Sequence, residues 1–259
     1  MNSSTTKTQD LYVFFHVNKT GGTTFTTHIE NLFKHDPYIA PMLNPYQREL
    51  AEKQGRTYWP NERKANKLKA RIVSGHDANP KNIADIAKYR SVKYITFFRD
   101  PGSRILSLFN HEKSANIISP EVTFIEYLKT RGVDASQLCF FLSCFLGWKR
   151  KELCKLYNSP NKNELLNTAL NEIKKFFFVG LHSNYEQDIN TLTNLLKIPK
   201  VSRSYHVTGK DIPKHQSMTQ ELSHKIKQAL PIEYQFYESV ISLRKPNDSP
   251  FISRPPVKV

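Results

Sequence analysis

Residues 11–17, LYVFFHV, are an unbroken apolar run of strand length, and NKTGGTT follows immediately. A run with no alternation of polar and apolar positions suits a strand buried on both faces. Such strands belong to parallel sheets covered by helices. A helical pattern then begins, with Phe25, Ile29, Leu32 and Phe33 on one face. Strand, glycine loop and helix therefore occupy residues 11–34, and the rest of the chain must supply partner strands and covering helices. Val92–Phe98 reads as a second buried strand that stops at Arg99-Asp100-Pro101. Pro101 suits the first turn of a helix with Asp100 as its cap, and that helix buries Ile105, Leu108 and Phe109. Arg71–Ser74 reads as a short strand leading into Gly75 and His76, and Phe176–Leu181 as the last strand.

Between these strands, residues 35–70 carry Pro37, Pro41, Pro45 and Pro60 and read as an irregular insertion with some helix. Residues 123–175 read as helical, with Leu138, Phe141, Leu142, Phe145 and Leu146 on a wide apolar face. A helix at 184–196, a basic loop at 200–216 and one or two helices over 219–243 complete the pattern. Residues 1–10 and 244–259 read as extended tails around a single domain spanning 1–259. Strands separated by helical stretches make the class α/β, with a parallel sheet, helices on both faces and a helix-rich C-terminal half. In such sheets ligands gather at the carboxyl ends of the strands, where three informative motifs fall.

Composition narrows the class further. The chain has 259 residues, 39% apolar and 12% aromatic, enough for a sizeable core and too much for a disordered chain. No stretch approaches the ~18 apolar residues of a membrane helix, so no membrane span is expected. The opening residues lack the apolar centre of a secretory signal. Cys139, Cys144 and Cys154 form no CxxC pair, which argues against a disulfide framework and for a reducing, cytoplasmic setting. The cysteines and histidines show no metal-ligand spacing, and no metal is expected. The 38 Lys and Arg against 23 Asp and Glu leave a formal charge of +15. That excess favours anionic partners, although a solvated basic surface accounts equally well for either local cluster, Arg63–Arg71 or Lys149–Lys155.

The loop Lys19-Thr20-Gly21-Gly22-Thr23-Thr24 carries the chemistry. Two glycines let the backbone turn tightly and approach a ligand closely. Free amides at the helix start attract an anion such as phosphate. Lys19 adds a full charge, and the threonines add hydroxyl donors. The pattern GxxxxGK[ST] is absent, because the lysine precedes the glycines, so magnesium-dependent triphosphatase chemistry is disfavoured.

HVNKTGGTT resembles the PKTGGT 5′-phosphosulfate loop of sulfotransferases that use 3′-phosphoadenosine 5′-phosphosulfate (PAPS), among them the heparan sulfate 2-O- and 6-O-sulfotransferases and their bacterial counterparts. YITFFRDPGSRILSLFNH resembles their 3′-phosphate segment, RDPxxRxxSxYNH, with Arg99, Asp100, Pro101, Arg104, Ser107, Asn110 and His111 in register and Phe109 replacing tyrosine. FVGL at 178–181 resembles their VGLTE segment, with His182 and Ser183 where Thr-Glu is usual. Asn18 replaces the loop proline, and Asn18-Lys19-Thr20 is a glycosylation sequon whose modification would block the loop. The aspartate usual in the last helix is not evident in EYQFYESV.

The resemblance implies a P-loop-kinase-like sulfotransferase fold and PAPS as co-substrate. It implies that Lys19, Thr20, Gly21, Gly22, Thr23 and Thr24 hold the phosphosulfate, while Arg99 and Ser107 hold the 3′-phosphate. An arginine fork and a serine hydroxyl across one strand-to-helix turn could converge on a monoester. Lys19 is suited to neutralise the bridging oxygen as the S–O bond breaks. An acceptor hydroxyl needs a base, and His76 is the candidate, since a histidine in a comparable Gly-His context serves the 2-O-sulfotransferases. The competing reading of His76 is a structural hydrogen-bonder. His16, within a strand, and His111, within a helix, read as mainly structural. The acceptor is expected to be a hydroxyl, with an anionic glycan accounting for the basic charge. A nucleotide-dependent kinase lacks its Walker lysine and a magnesium carboxylate here. A nucleic-acid-binding module lacks exposed aromatics between basic residues. A pseudo-enzyme that binds the nucleotide without turnover is a further alternative.

Overall fold

The computed structural model describes residues 10–32, 39–42, 53, 70–200 and 216–244. Five strands form one sheet in the order β2-β3-β1-β4-β5, every pair parallel. They are β1 (Leu11–Phe15), β2 (Ile39–Met42), β3 (Ile72–Gly75), β4 (Val92–Phe98) and β5 (Phe178–Leu181). The chain leaves β1 toward β2 and β3 on one side and toward β4 and β5 on the other. Its connections thus diverge at the carboxyl end of β1, the place where open α/β sheets bind ligands.

Both faces are covered, as the apolar runs require. Phe14, Ile95, Phe97 and Phe178 point to one face, where they pack with Phe25 and Ile29 of α1 (Gly22–Leu32) and with Ile189, Leu192 and Leu196 of α8 (Tyr185–Leu196). Leu11, Val13 and Val73 point the other way, toward Ile83 and Ile86 of α2 (Pro80–Ala87). Farther along that face Phe15, Phe98, Val179 and Leu181 meet the helix-rich half. That half comprises α3 (Pro101–Ser114), α4 (Phe124–Arg131), α5 (Gln137–Phe140), α6 (Arg150–Tyr157), α7 (Asn163–Ile173), α9 (Gln220–Ala229) and α10 (Pro231–Leu243).

Several details differ from the sequence reading. The continuous helical stretch expected over 123–175 is broken into α4, α5, α6 and α7, with a π-helical turn at Phe141–Phe145 continuing α5. The cause is local: Thr123 and Ser136 each cap a new helix with a side-chain oxygen. The irregular insertion contains β2, an edge strand in which Pro41 is tolerated. The helix α2 is capped by Asn79 and has Pro80 in its first turn, a start signal with only two buried residues to give it periodicity. Asp100 caps α3 as its sequence suggests, its Oδ1 accepting the Ser103 N–H at 2.8 Å. Residues 201–215 of the basic loop, and the tails apart from Asp10 and Arg244, lie outside the described residues. Arg244 itself is buried and forms a two-pronged ion pair with Asp188, so the packed chain extends through it.

Candidate active site

Four adjacent strands end at one edge of the sheet, and the residue or loop after each brings a nitrogen-bearing side chain. His76 follows β3, His16 and Lys19 follow β1, Arg99 follows β4 and His182 follows β5. Parallel pairing is the reason, because it sends every strand's carboxyl end to the same side.

The glycine loop is tied down from several directions. Thr20 is buried, and its hydroxyl donates to the Val17 carbonyl at 2.8 Å. Arg104 of α3, fully buried, donates Nε–H to the Asn18 carbonyl at 2.9 Å and Nη1–H to the Ala135 carbonyl at 2.5 Å. Arg99 donates Nη1–H to the Lys19 carbonyl at 3.2 Å, and Tyr185 of α8 donates its hydroxyl to Gly21 O at 3.0 Å. These bonds hold Lys19 at φ 64°, a left-handed conformation that is uncommon for a residue with a side chain and persists only when its surroundings impose it. Gly21 has φ 88°, and a Cβ there would stand 3.0 Å from Tyr185 and 3.1 Å from His182. At Gly22 a Cβ would lie 2.2 Å from the His16 ring, so only glycine allows the helix start to rest on that imidazole. Thr23 is exposed and Thr24 half-buried at the start of α1.

The histidines form a layer beneath this loop. His16 lies just past β1, with its backbone N–H on Gly75 O at 3.0 Å. Its ring stacks between Phe14 at 5.7 Å and His76 at 4.5 Å. The His76 Nδ1 stands 2.5 Å from the His16 carbonyl. A carbonyl can only accept, so Nδ1 carries the proton and Nε2 carries the lone pair. Burial lowers the His76 pKa below the ordinary 6.5, against the opposing pull of the His16 carbonyl and Asp77. Burial holds His16 well below that value, with His76 and Lys19 adding repulsion. His182 is lowered to about 4, first by burial and then by Arg99. The Lys19 ammonium is lowered by burial and by Arg99, and His111 by burial and by Lys19. The strand ends thus gather mutually repelling positive groups around neutral imidazoles, an environment that attracts an anion.

Arg99 is the second anchor. It is half-buried just beyond β4, with its guanidinium on the lysine's own carbonyl, so the two expected anion grips adjoin. Ser107 sits half-buried two turns into α3, on the same face as Ser103 and Asn110. Asn110 pairs with the backbone of Gln216 through both amide atoms, at 3.0 Å each. Among the described residues no cluster of His, Cys, Asp or Glu is arranged to hold a metal ion, and no helix is long and apolar enough to cross a membrane.

The Sulfotransferase family model matches residues 3–238, nearly the whole chain. The chain belongs to the sulfotransferase family. Among solved structures, a sulfotransferase from Alicyclobacillus acidocaldarius aligns at 12% identity with a TM-score of 0.47, over 90% of this chain and 96% of that one. No curated protein matches in sequence.

Three further residues pack against the glycine loop or along the path to Arg99 without a motif that announced them. His182 follows β5 and packs against Gly21, and its only sequence signal was its departure from the Thr-Glu of the resembled segment. Gln137 and Glu233 gave no motif. Glu233 belongs to the last helix, in which no role was legible, yet it is buried with its carboxylate on the amides of Gln137 and Leu138 at 2.8 and 3.1 Å.

Proposed function

We propose that this sulfotransferase moves a sulfuryl group from PAPS to an acceptor hydroxyl, with a carbohydrate as the acceptor class. The observation that carries the reading is the junction of Arg99 with the lysine loop. One nitrogen of the guanidinium sits on Lys19 O, while Nε is buried with no hydrogen-bond partner among the described residues. An unsatisfied buried donor costs ~1–3 kcal/mol. A phosphate oxygen on that edge of the fork would remove the cost, so the residues present fit the 3′-phosphorylated donor.

In this reading the amides and hydroxyls from Thr20 to Thr24 cradle the phosphosulfate, and Gly21 and Gly22 permit its close approach. Arg99 and Ser107 take the 3′-phosphate. PAPS supplies an activated sulfuryl group whose S–O bond breaks with charge moving to the phosphate side. Lys19 stabilises that charge, a contribution of the kind worth ~10²–10³ in rate. His76, neutral and held by Nδ1, takes the acceptor's proton on Nε2, a step worth ~10²–10⁴-fold. The whole chain acts as one domain, and the free thiols of Cys139, Cys144 and Cys154 favour a reducing, cytoplasmic setting. The excess positive charge favours an anionic glycan among carbohydrate acceptors.

The test is a labelled-sulfate transfer screen with PAPS as donor and glycans, small alcohols and lipids as acceptors. Transfer to a glycan hydroxyl is expected. Transfer to small alcohols or lipids alone would overturn the carbohydrate assignment. The absence of transfer with every acceptor, together with equal thermal stabilisation by 3′-phosphoadenosine 5′-phosphate and by AMP, would overturn the donor.

A further inference from the structure

Gln137 is fully buried at the start of α5, and its side-chain amide is spent on a single residue. Its Oε1 accepts the Arg99 N–H at 3.2 Å and its Nε2–H donates to Arg99 O at 2.8 Å. The amide therefore acts as one rung of a strand, pairing with the first residue beyond β4. The pairing of β4 with β5 ends at Phe98↔Leu181, so no strand continues it there. Without the glutamine, the part-buried N–H and C=O of Arg99 would lose these partners.

The clamp is itself clamped. Glu233 of α10, fully buried, accepts the N–H groups of both Gln137 and Leu138 and so fixes the first turn of α5. Ser136 caps the same turn, its Oγ accepting the Cys139 N–H at 3.1 Å. One connected polar path thus runs from the last helix through α5 to the Arg99 backbone. From there the Arg99 side chain reaches Lys19 O.

We propose that Gln137, held in place by Glu233, is a positioning residue that aims the Arg99 guanidinium at the 3′-phosphate of the donor. The proposal rests on the reading of Arg99 as the 3′-phosphate ligand. A buried amide whose bonds all served general packing would affect every nucleotide alike. One that aims Arg99 affects only those bearing a 3′-phosphate.

Calorimetric titration of the full chain with 3′-phosphoadenosine 5′-phosphate and with AMP separates the two. Gln137→Met keeps the volume and removes the amide. It should weaken binding of the 3′-phosphorylated nucleotide by about tenfold or more while AMP binding stays within about twofold. Glu233→Gln keeps one acceptor and the shape, and it should lower the same preference by a smaller factor. It carries the test if Gln137→Met does not fold. A variant that folds and binds both nucleotides with the wild-type ratio, or loses both equally, overturns the proposal. Arg99→Ala is run beside them. If it leaves the preference intact, the 3′-phosphate reading of Arg99 falls and the positioning role with it. If it abolishes the preference while the Gln137 and Glu233 variants keep it, the positioning role alone falls.

Discussion

At the scale of single residues, the strand ends hold imidazoles of lowered pKa beside cationic side chains. Burial places the pKa of His76 below 6.5 against the raising pull of the His16 carbonyl and Asp77, so the free base predominates at neutral pH. The acidic limb of a kcat–pH profile should therefore have its midpoint below that ordinary value. His76→Ala should lower kcat by about 10²–10⁴ and erase the limb, while leaving the thermal shift given by 3′-phosphoadenosine 5′-phosphate unchanged. Wild-type turnover in that variant would remove His76 from the chemistry. Lys19 differs, because its ammonium is expected to take part in both binding and transfer. Lys19→Ala should abolish the nucleotide-induced shift, as should Arg99→Ala, since each deletes one of the two proposed anion grips, which adjoin.

At the scale of elements, the glycine loop is a contact between β1 and α1 as much as the proposed ligand cradle. The first turn of α1 lies on the His16 ring, which also stacks with Phe14 and with His76. Gly22→Ala should therefore cost about 1–3 kcal/mol in urea denaturation, as overpacking in a tight core does. Nucleotide binding should fall at the same time, because the clash lies under the loop. A Gly22→Ala protein of unchanged stability would show that His16 can move aside. Gly21 is constrained by conformation as well as by space, since it adopts a positive φ beneath Tyr185 and His182.

At the scale of the whole molecule, buried histidines tie stability to pH, and a buried ion pair anchors the last helix. His16 and His182 have folded-state pKa values below the 6.5 of the exposed side chain, His182 at about 4. Between those limits the unfolded chain binds more protons than the folded one, so stability is lost as pH falls below 6.5. The Tm should fall between pH 7 and pH 5, and His182→Gln should remove part of that slope. The last turn of α10 is anchored by Arg244 on Asp188, whose Oδ2 also accepts the Leu181 N–H at 2.7 Å. Removing one partner strands a buried charge, so Arg244→Met should cost about 3–5 kcal/mol in chemical denaturation.

Much of this architecture was legible in the chain itself. Unbroken apolar runs specify strands buried on both faces, and a glycine loop between strand and helix marks the carboxyl edge of the sheet. Those signals depend on neighbours in sequence, which is why the strand ends that carry Lys19 and Arg99, and the α3 cap, could be read directly. The pairing of His16 with His76, the packing of His182 on Gly21 and the path from Glu233 through Gln137 to Arg99 left no such trace. Each joins residues far apart in the chain, and a buried glutamine or glutamate looks in sequence like any solvated one. Their meaning comes from the partners that desolvation forces on them, and only the packed tertiary structure decides which partners those are.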